Sequence, residues 1–410
     1  AAPPGAPWPT TPALDRRARD GVVFGAAYST APWTLPSHAS IFTGHFPSQT
    51  VADWQSPLDN SAPTLAEVFQ ARGYATGGFV ANINIGGYRS GLGRGFIRYE
   101  DAQLSVLEAL LSTTILQSQS ARRAFRTWAR TRWIRGTVSA ILPLELRPMS
   151  TNPAHDDLWA EEIADNFLAW LPSVEGRPFF AFLNLFDAHG PMPPPPAYQA
   201  MFDPAESSLG HYAGAIRYMD DAIEALLRAL EAAGQLDQTI VVVTSDHGEQ
   251  FGEHDLRLHG NSLYRPVLHV PLVLLNAPGV PAGHRVARPV SLRDLPATLL
   301  DLASIGAELP GVSLAPLLRG DTTGFEASPV LSELSRGLPE RSPPHMMVDR
   351  KSLVTDTSHI IRTSAGALEV FAYPADTAEM QDRSSLVEVR AAAEAQLAQA
   401  LRRVGIEWRK

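Results

Sequence analysis

The sequence predicts an α/β protein whose main sheet is covered by helices on both faces, followed by a small C-terminal sheet with a closing helix. Three observations carry that expectation. Short apolar runs rich in β-branched and aromatic residues recur at 22–28, 76–81, 179–186, 239–244 and 270–275. They are continuous rather than alternating, as strands buried on both faces are. Helical patterns lie between them at 64–72, 157–171, 212–233 and 291–303, and the second spaces Leu158, Ile163, Phe167 and Trp170 for one buried face. The 34 prolines and 30 glycines cluster between the apolar stretches, where short connections should run. Strands alternating with amphipathic helices indicate a two-sided sheet.

Taken in order, residues 1–14 read as irregular and a short helix is expected at about 13–20. Residues 104–135 run from an apolar helical stretch into a basic, aromatic one. The plain reading is a surface helix with Trp128 and Trp133 turned inward; the sharper one is contact with a membrane surface through about 120–135. Beyond about Asp321 the alternation weakens, and strand-like pieces at 346–354, 359–362 and 367–373 precede a helix at 385–404. The expected division is therefore a larger unit at 1–320, with a helical insertion at about 104–150, and a sheet-plus-helix unit at 321–410.

Composition narrows the function. The chain has 410 residues, 45% hydrophobic and 19% charged, a globular balance. With 43 acidic against 34 basic side chains its formal net charge is −9, which argues against nucleic acid as the main partner. No apolar run approaches the roughly 20 residues that span a bilayer. The absence of cysteine excludes disulfides, thiolate metal sites and cysteine nucleophiles, but leaves the compartment open, whether cytoplasmic, periplasmic or secreted.

Polar residues of catalytic type follow four of the strand-like runs: Thr34, Asn82, Asp187 with His189, and Ser245-Asp246-His247. Ligands of open α/β sheets bind beyond the carboxyl ends of the strands, so these residues are candidates for one site. The strongest segment is TSDHGEQFGEHDLRLHG, residues 244–260. Asp246 and His247 offer one carboxylate and one imidazole to the same point, a pair suited to a divalent cation such as Mn, Zn, Mg or Ca. Gly248 allows the chain to turn sharply, and His259 returns about a dozen residues later; His254 and His269 read as surface or packing residues. The second segment is APWTLPSHASIFTG, residues 31–44, where Pro36 suits a first helical turn and Gly44 an end. Thr34 is then either a nucleophile beside an anion-favouring helix N-terminus or, like Ser37, a cap of that helix. The segment alone does not choose.

These motifs together resemble the sulfatase-like branch of the alkaline phosphatase superfamily over nearly the whole chain. T-L-P-S-H-A-S-I-F-T-G fills the place of the family's C/S-x-P-S-R nucleophile motif; SDHGE…HG followed by VPLVL resembles its second metal motif; FDAHGPMPPPP resembles its D-x-H-x-P stretch; and GVSLAPLLRG with ALEVFAYPADTAEM resembles its C-terminal region. The resemblance implies an alkaline-phosphatase-like fold, a large mostly parallel sheet flanked by helices with a small C-terminal antiparallel sheet. It implies one divalent metal ion held by Asp246, His247 and Thr34, with Thr34 as nucleophile and His189 and His259 acting on the ester anion or leaving group. His38 and Asn82 occupy substrate-contacting places. The implied activity is metal-dependent hydrolysis of a small-molecule or glycan sulfate or phosphate ester. The rivals are a phosphoglycerol- or phosphoethanolamine-type transferase and a non-catalytic binding relative.

Three departures qualify what is implied. The family's first strand ends in metal-binding Asp residues and is expected to precede Ala1. Thr34 stands where sulfatases carry the Cys or Ser that becomes formylglycine, an aldehyde that threonine cannot yield. His38 replaces the usual Arg, and Asn82 lies near the place of the family's Lys-x-His. A Thr nucleophile with Asp-His ligands is closer to the superfamily's phosphodiesterases and transferases.

Overall fold

The computed structural model describes residues 8–53, 56–82, 85–101, 158–190, 193–202, 207–321, 323, 325–337 and 347–408. The expected insertion at 104–150 and the stretch 120–135 lie outside these residues. Strand β1 (Val22–Tyr28) is flanked on one side by β9 (His284–Val286) and β10 (Val290–Ser291), both parallel to it. On its other side β8 (His269–Leu275) runs antiparallel, and β5 (Val241–Thr244) pairs antiparallel with β8 in turn. Two strands antiparallel to the same neighbour are parallel to each other, so the carboxyl ends of β1 and β5 share one edge of the sheet. Val22, Phe24, Leu272 and Leu274 face a core that Leu295 and Leu302 of the helix Leu295–Leu302 help to close.

A second sheet is fully parallel among the described residues: β2 (Ala75–Val80) lies between β3 (Arg98–Glu100) and β4 (Phe179–Asn184). Phe79 of β2, fully buried, meets Phe167 and Trp170 of the helix Ala160–Trp170. That is the face the sequence spacing predicts. The long helix Ser208–Ala232 starts earlier than its apolar periodicity, because the Ser207 side chain accepts from Gly210 N–H and caps it. Its Asp220 also caps a neighbour: both carboxylate oxygens accept backbone N–H groups of Ala13 and Leu14, at 2.8 Å each, in the first turn of the helix Pro12–Arg17.

Strands β4 and β5 are half-buried throughout, although their sequences read as two-sided core. Among the described residues each is the last strand of its ladder, so one flank of each goes uncovered.

The C-terminal sheet is an antiparallel meander of β11 (Val330–Leu334), β12 (Arg350–Val354), β13 (Ser358–Thr363) and β14 (Leu368–Ala372). The helix Val387–Arg403 covers one face through Leu397 and Leu401. The other face meets Tyr28, Leu263 and Val267 of the main body. Strand β11 was not expected from the sequence, and the reason is chemical. Its Ser332 and Glu333 interrupt the apolar pattern yet are buried, because they bind the loop after β1: Ser332 Oγ donates to Ser29 O at 2.6 Å and Glu333 N–H to Thr30 O at 2.8 Å. The Glu333 carboxylate pairs with Lys351 and accepts Ser48 N–H.

Replacing one member of that buried pair strands the other charge. Lys351→Met should lower stability by about 3–5 kcal/mol in urea titration, and adding Glu333→Gln should return part of the loss. A single variant as stable as the parent would show that the pair is not needed to hold the sheet.

Candidate active site

Chain direction assembles the site. β1 ends at Tyr28, and residues 29–33 lead to the helix Thr34–Thr43, which Gly44 closes in a left-handed conformation (φ 72°). A β-carbon at Gly44 would lie 1.8 Å from Pro310 O, so only glycine fits there. Neither Thr34 nor Ser37 caps this helix. Ser37 Oγ donates instead to Asp246 O at 2.6 Å and lies 2.9 Å from Ser29 Oγ. Thr34 Oγ1 lies 3.4 Å from His247 Nε2. The candidate nucleophile and the Asp-His pair at the end of β5 are thus neighbours, joined by buried hydroxyls.

The ring nitrogens can be assigned from their partners. His247 Nδ1 lies 2.8 Å from Gly248 O, and a carbonyl only accepts, so Nδ1 carries the proton and Nε2 offers its lone pair. That lone pair faces Asp246 Oδ2 at 3.4 Å. His38 Nδ1 donates to Thr34 O at 2.8 Å and lies 3.4 Å from the same carboxylate oxygen. Burial acts to raise the Asp246 pKa, but His247, His38 and a backbone N–H outweigh it and hold the carboxyl below its ordinary value. Burial lowers the His247 pKa, with Asp246 opposing, which favours the neutral imidazole.

The fit of a divalent cation can be judged from these atoms. Two acceptors, Asp246 Oδ2 and His247 Nε2, face each other at 3.4 Å with the Thr34 hydroxyl beside them, and a cation is what such a set lacks. Among the described residues no group of three His, Asp or Glu side chains is gathered for a metal. The described donors therefore fit part of a coordination sphere.

His259 and His189 close the other side. The His259 ring centroid is 4.3 Å from that of His247 and 5.2 Å from that of His189. His189 stacks on Phe186 at 4.3 Å, and burial followed by the neighbouring His259 lowers its pKa. Gly248 earns its place by close approach, not by a left-handed backbone: a β-carbon there would lie 2.1 Å from Pro266 O. Asn82 lies on the other sheet, at the carboxyl end of β2, where its N–H donates to Asn184 Oδ1. His254 stacks on Tyr264 at 3.7 Å, and His269 Nε2 bonds Gly25 O at 3.0 Å. The structure thus brings Thr34, His38, Asp246, His247, His259 and His189 together. The sequence reading missed Glu249, whose carboxylate lies 3.1 Å from His259 Nδ1, and the bridging hydroxyl of Ser29. Glu249 stands two residues after His247, but nothing in its spacing announces the partner.

Ser37→Ala should leave Asp246 O without its buried donor and cost about 1–3 kcal/mol in denaturant unfolding. Unchanged stability would mean that water replaces the hydroxyl. Asp187, buried two residues before His189, accepts Ala160 N–H, and burial pushes its pKa up to about 6 from an ordinary value of about 3.9. Protonation therefore favours the folded state. Stability from this group is complete below about pH 4 and is lost as pH rises through about 6. Asp187→Asn, which keeps an acceptor for Ala160, should flatten stability between those values; an unchanged slope would assign it to other groups.

Comparison with known proteins follows the geometry. The family model described as Sulfatase matches residues 4–305. Mouse (Mus musculus) steryl-sulfatase is 28% identical over 398 residues, covering 77% of this chain and 62% of its own length. The chain thus spans about three-fifths of that relative. A phosphonate monoester hydrolase from Silicibacter pomeroyi superposes with a TM-score of 0.69 at 22% identity, covering 96% of this chain and 90% of that one. A protein solved in complex with its substrate, D-glucosamine-2-N,6-O-disulfate, also gives a TM-score of 0.69, at 17% identity, covering 96% and 93%. These likenesses support the fold, and the family match over most of the chain settles its kinship: this chain belongs to the sulfatase family.

Proposed function

We propose that the chain hydrolyses sulfate or phosphate esters, with Thr34 as the nucleophile. The observation that carries this reading is the Thr34 hydroxyl, 3.4 Å from His247 Nε2, beside the Asp246 carboxylate and at the N-terminus of a ten-residue helix. In this reading Asp246, His247 and Thr34 hold one divalent cation. When bound, that ion would lower the pKa of the hydroxyl and offset charge on the ester oxygens.

The chain's own residues do the rest. His38 fixes the first helical turn through Thr34 O, and so fixes the direction of the Thr34 side chain. The helix N-terminus favours the anionic group of the ester. His259 and His189 stand across from Thr34, placed to meet non-bridging oxygens or to give a proton to the departing alcohol. Attack by the Thr34 oxygen forms a threonine ester and expels the alcohol; water then releases the anion and restores the hydroxyl. The glucosamine disulfate bound by a fold neighbour makes glycan sulfates a natural substrate class to assay.

A threonine alkoxide cannot follow the hydrated-aldehyde route, so turnover must pass through direct attack and a threonine ester. Phosphorus esters should be the better substrates: kcat/KM for bis-para-nitrophenyl phosphate should exceed that for para-nitrophenyl sulfate. Thr34→Ala should remove nearly all turnover of both. A higher value for the sulfate, kept in Thr34→Ser, would overturn the phosphorus preference. Full activity in Thr34→Ala would overturn the nucleophile.

A further inference from the structure

Beyond the residues discussed for catalysis, we infer that Glu249 is a positioning residue that selects the tautomer of His259. The inference starts from a register. Strands β6 (Gln250–Phe251) and β7 (Arg257–Leu258) form a short antiparallel hairpin in which Gln250 pairs with Leu258 and Phe251 with Arg257. The next cross-strand pair in that register is Glu249 and His259, just beyond the last ladder bond.

Their side chains meet there. His259 Nδ1 lies 3.1 and 3.3 Å from the two Glu249 carboxylate oxygens, and both side chains are largely buried, 19% and 11% exposed. An ionised carboxylate only accepts, so Nδ1 is the donor and Nε2 is the nitrogen turned away from Glu249, an acceptor in the neutral ring and a proton donor to a leaving group only after it has itself taken up a proton. The hairpin is built to hold this pair. Its turn uses left-handed backbone at His254 and Asp255, with φ of 55° and 57°, and Leu258 in β7, just before His259, is left-handed too at 65°. Ser262 Oγ bonds Gln250 Oε1 at 2.9 Å, and Gly260 N–H bonds Pro32 O at 2.9 Å, two residues before Thr34. His259 is thereby fixed against both Glu249 and the Thr34 loop. The hairpin is anchored at its tip as well: His254 stacks on Tyr264, whose hydroxyl donates to Glu369 of β14.

The kinetic arm of the test rests on the ester-cleaving reading; the spectroscopic arm does not. Long-range 15N–1H spectra at mildly alkaline pH, with the His259 signals assigned by their loss in His259→Asn, report which ring nitrogen is protonated. The parent and Glu249→Gln should show the Nδ1-protonated pattern, because an amide oxygen can accept the same bond. Glu249→Leu, with Glu249→Ala as a second variant should leucine impair folding, should show a mixture of tautomers. On bis-para-nitrophenyl phosphate those two variants should lose kcat by roughly 10–100-fold with a smaller change in KM, and Glu249→Gln should recover most of it. An unchanged Nδ1-protonated pattern in Glu249→Leu and Glu249→Ala would overturn the inference. So would equal losses of kcat in the glutamine and leucine variants. Absence of turnover in the parent would count against the ester reading alone, since the tautomer pattern would still decide the role of Glu249.

Discussion

A chain of buried hydroxyls ties the molecule together where the chemistry is expected. Ser332 of β11 donates to Ser29 O, Ser29 Oγ lies 2.9 Å from Ser37 Oγ, and Ser37 Oγ donates to Asp246 O. Four separate stretches meet in that chain: the C-terminal sheet, the end of β1, the Thr34 helix and the end of β5. Ser29, Ser37 and Ser332 are essentially without exposure, so each bond is made in a low-dielectric setting where an unmade one is costly. The distance between Thr34 and His247 depends on it. A shift of the C-terminal sheet would pull Ser29, then Ser37, and with them the helix that carries the hydroxyl.

Strand direction explains why the hydroxyls can meet at all. β8 runs against both β1 and β5, which turns the two outer strands the same way and puts their carboxyl ends on one edge. The same end of β4 leads through Phe186 to His189, whose ring reaches His259. Pairs of residues more than 200 positions apart are thus brought within hydrogen-bond range without long loops. The cost falls on β4 and β5. Among the described residues these two apolar strands end their ladders and are only partly buried.

Much of this was legible in the sequence because it is local. The buried strands follow from continuous apolar runs and the amphipathic helices from a period of 3.6, and the residues after the strands stand at the sheet edge because strands end there. Proline and glycine bounded the Thr34 helix as expected. What escaped was long-range. β11 was hidden because Ser332 and Glu333 look like surface residues, and only the loop after β1 makes their burial favourable. The Glu249–His259 pair was hidden because β6 and β7 have two residues each, too few for any periodic signal. Ser37 read only as a helix cap, and its bridging role was hidden because its partners, Ser29 and Asp246, lie after other strands.

Three of the site's four imidazoles share one device. His38 spends Nδ1 on Thr34 O four residues back, His247 on the adjacent Gly248 O, and His259 on the Glu249 carboxylate across the hairpin. Each uses a partner fixed by nearby backbone, so each ring is oriented before any ligand arrives, and in each the second nitrogen is the one left over. The three differ in what that orientation is worth. His38 is shut in beside Phe182, so its ring supports Thr34 and Asp246 from behind. His247 turns its free nitrogen to Asp246 and Thr34, where a neutral ring is an acceptor. His259 sets Nδ1 against the Glu249 carboxylate, where the other two rings bond backbone carbonyls through theirs. A single residue type thus fills three places, and the partner of Nδ1 separates their tasks.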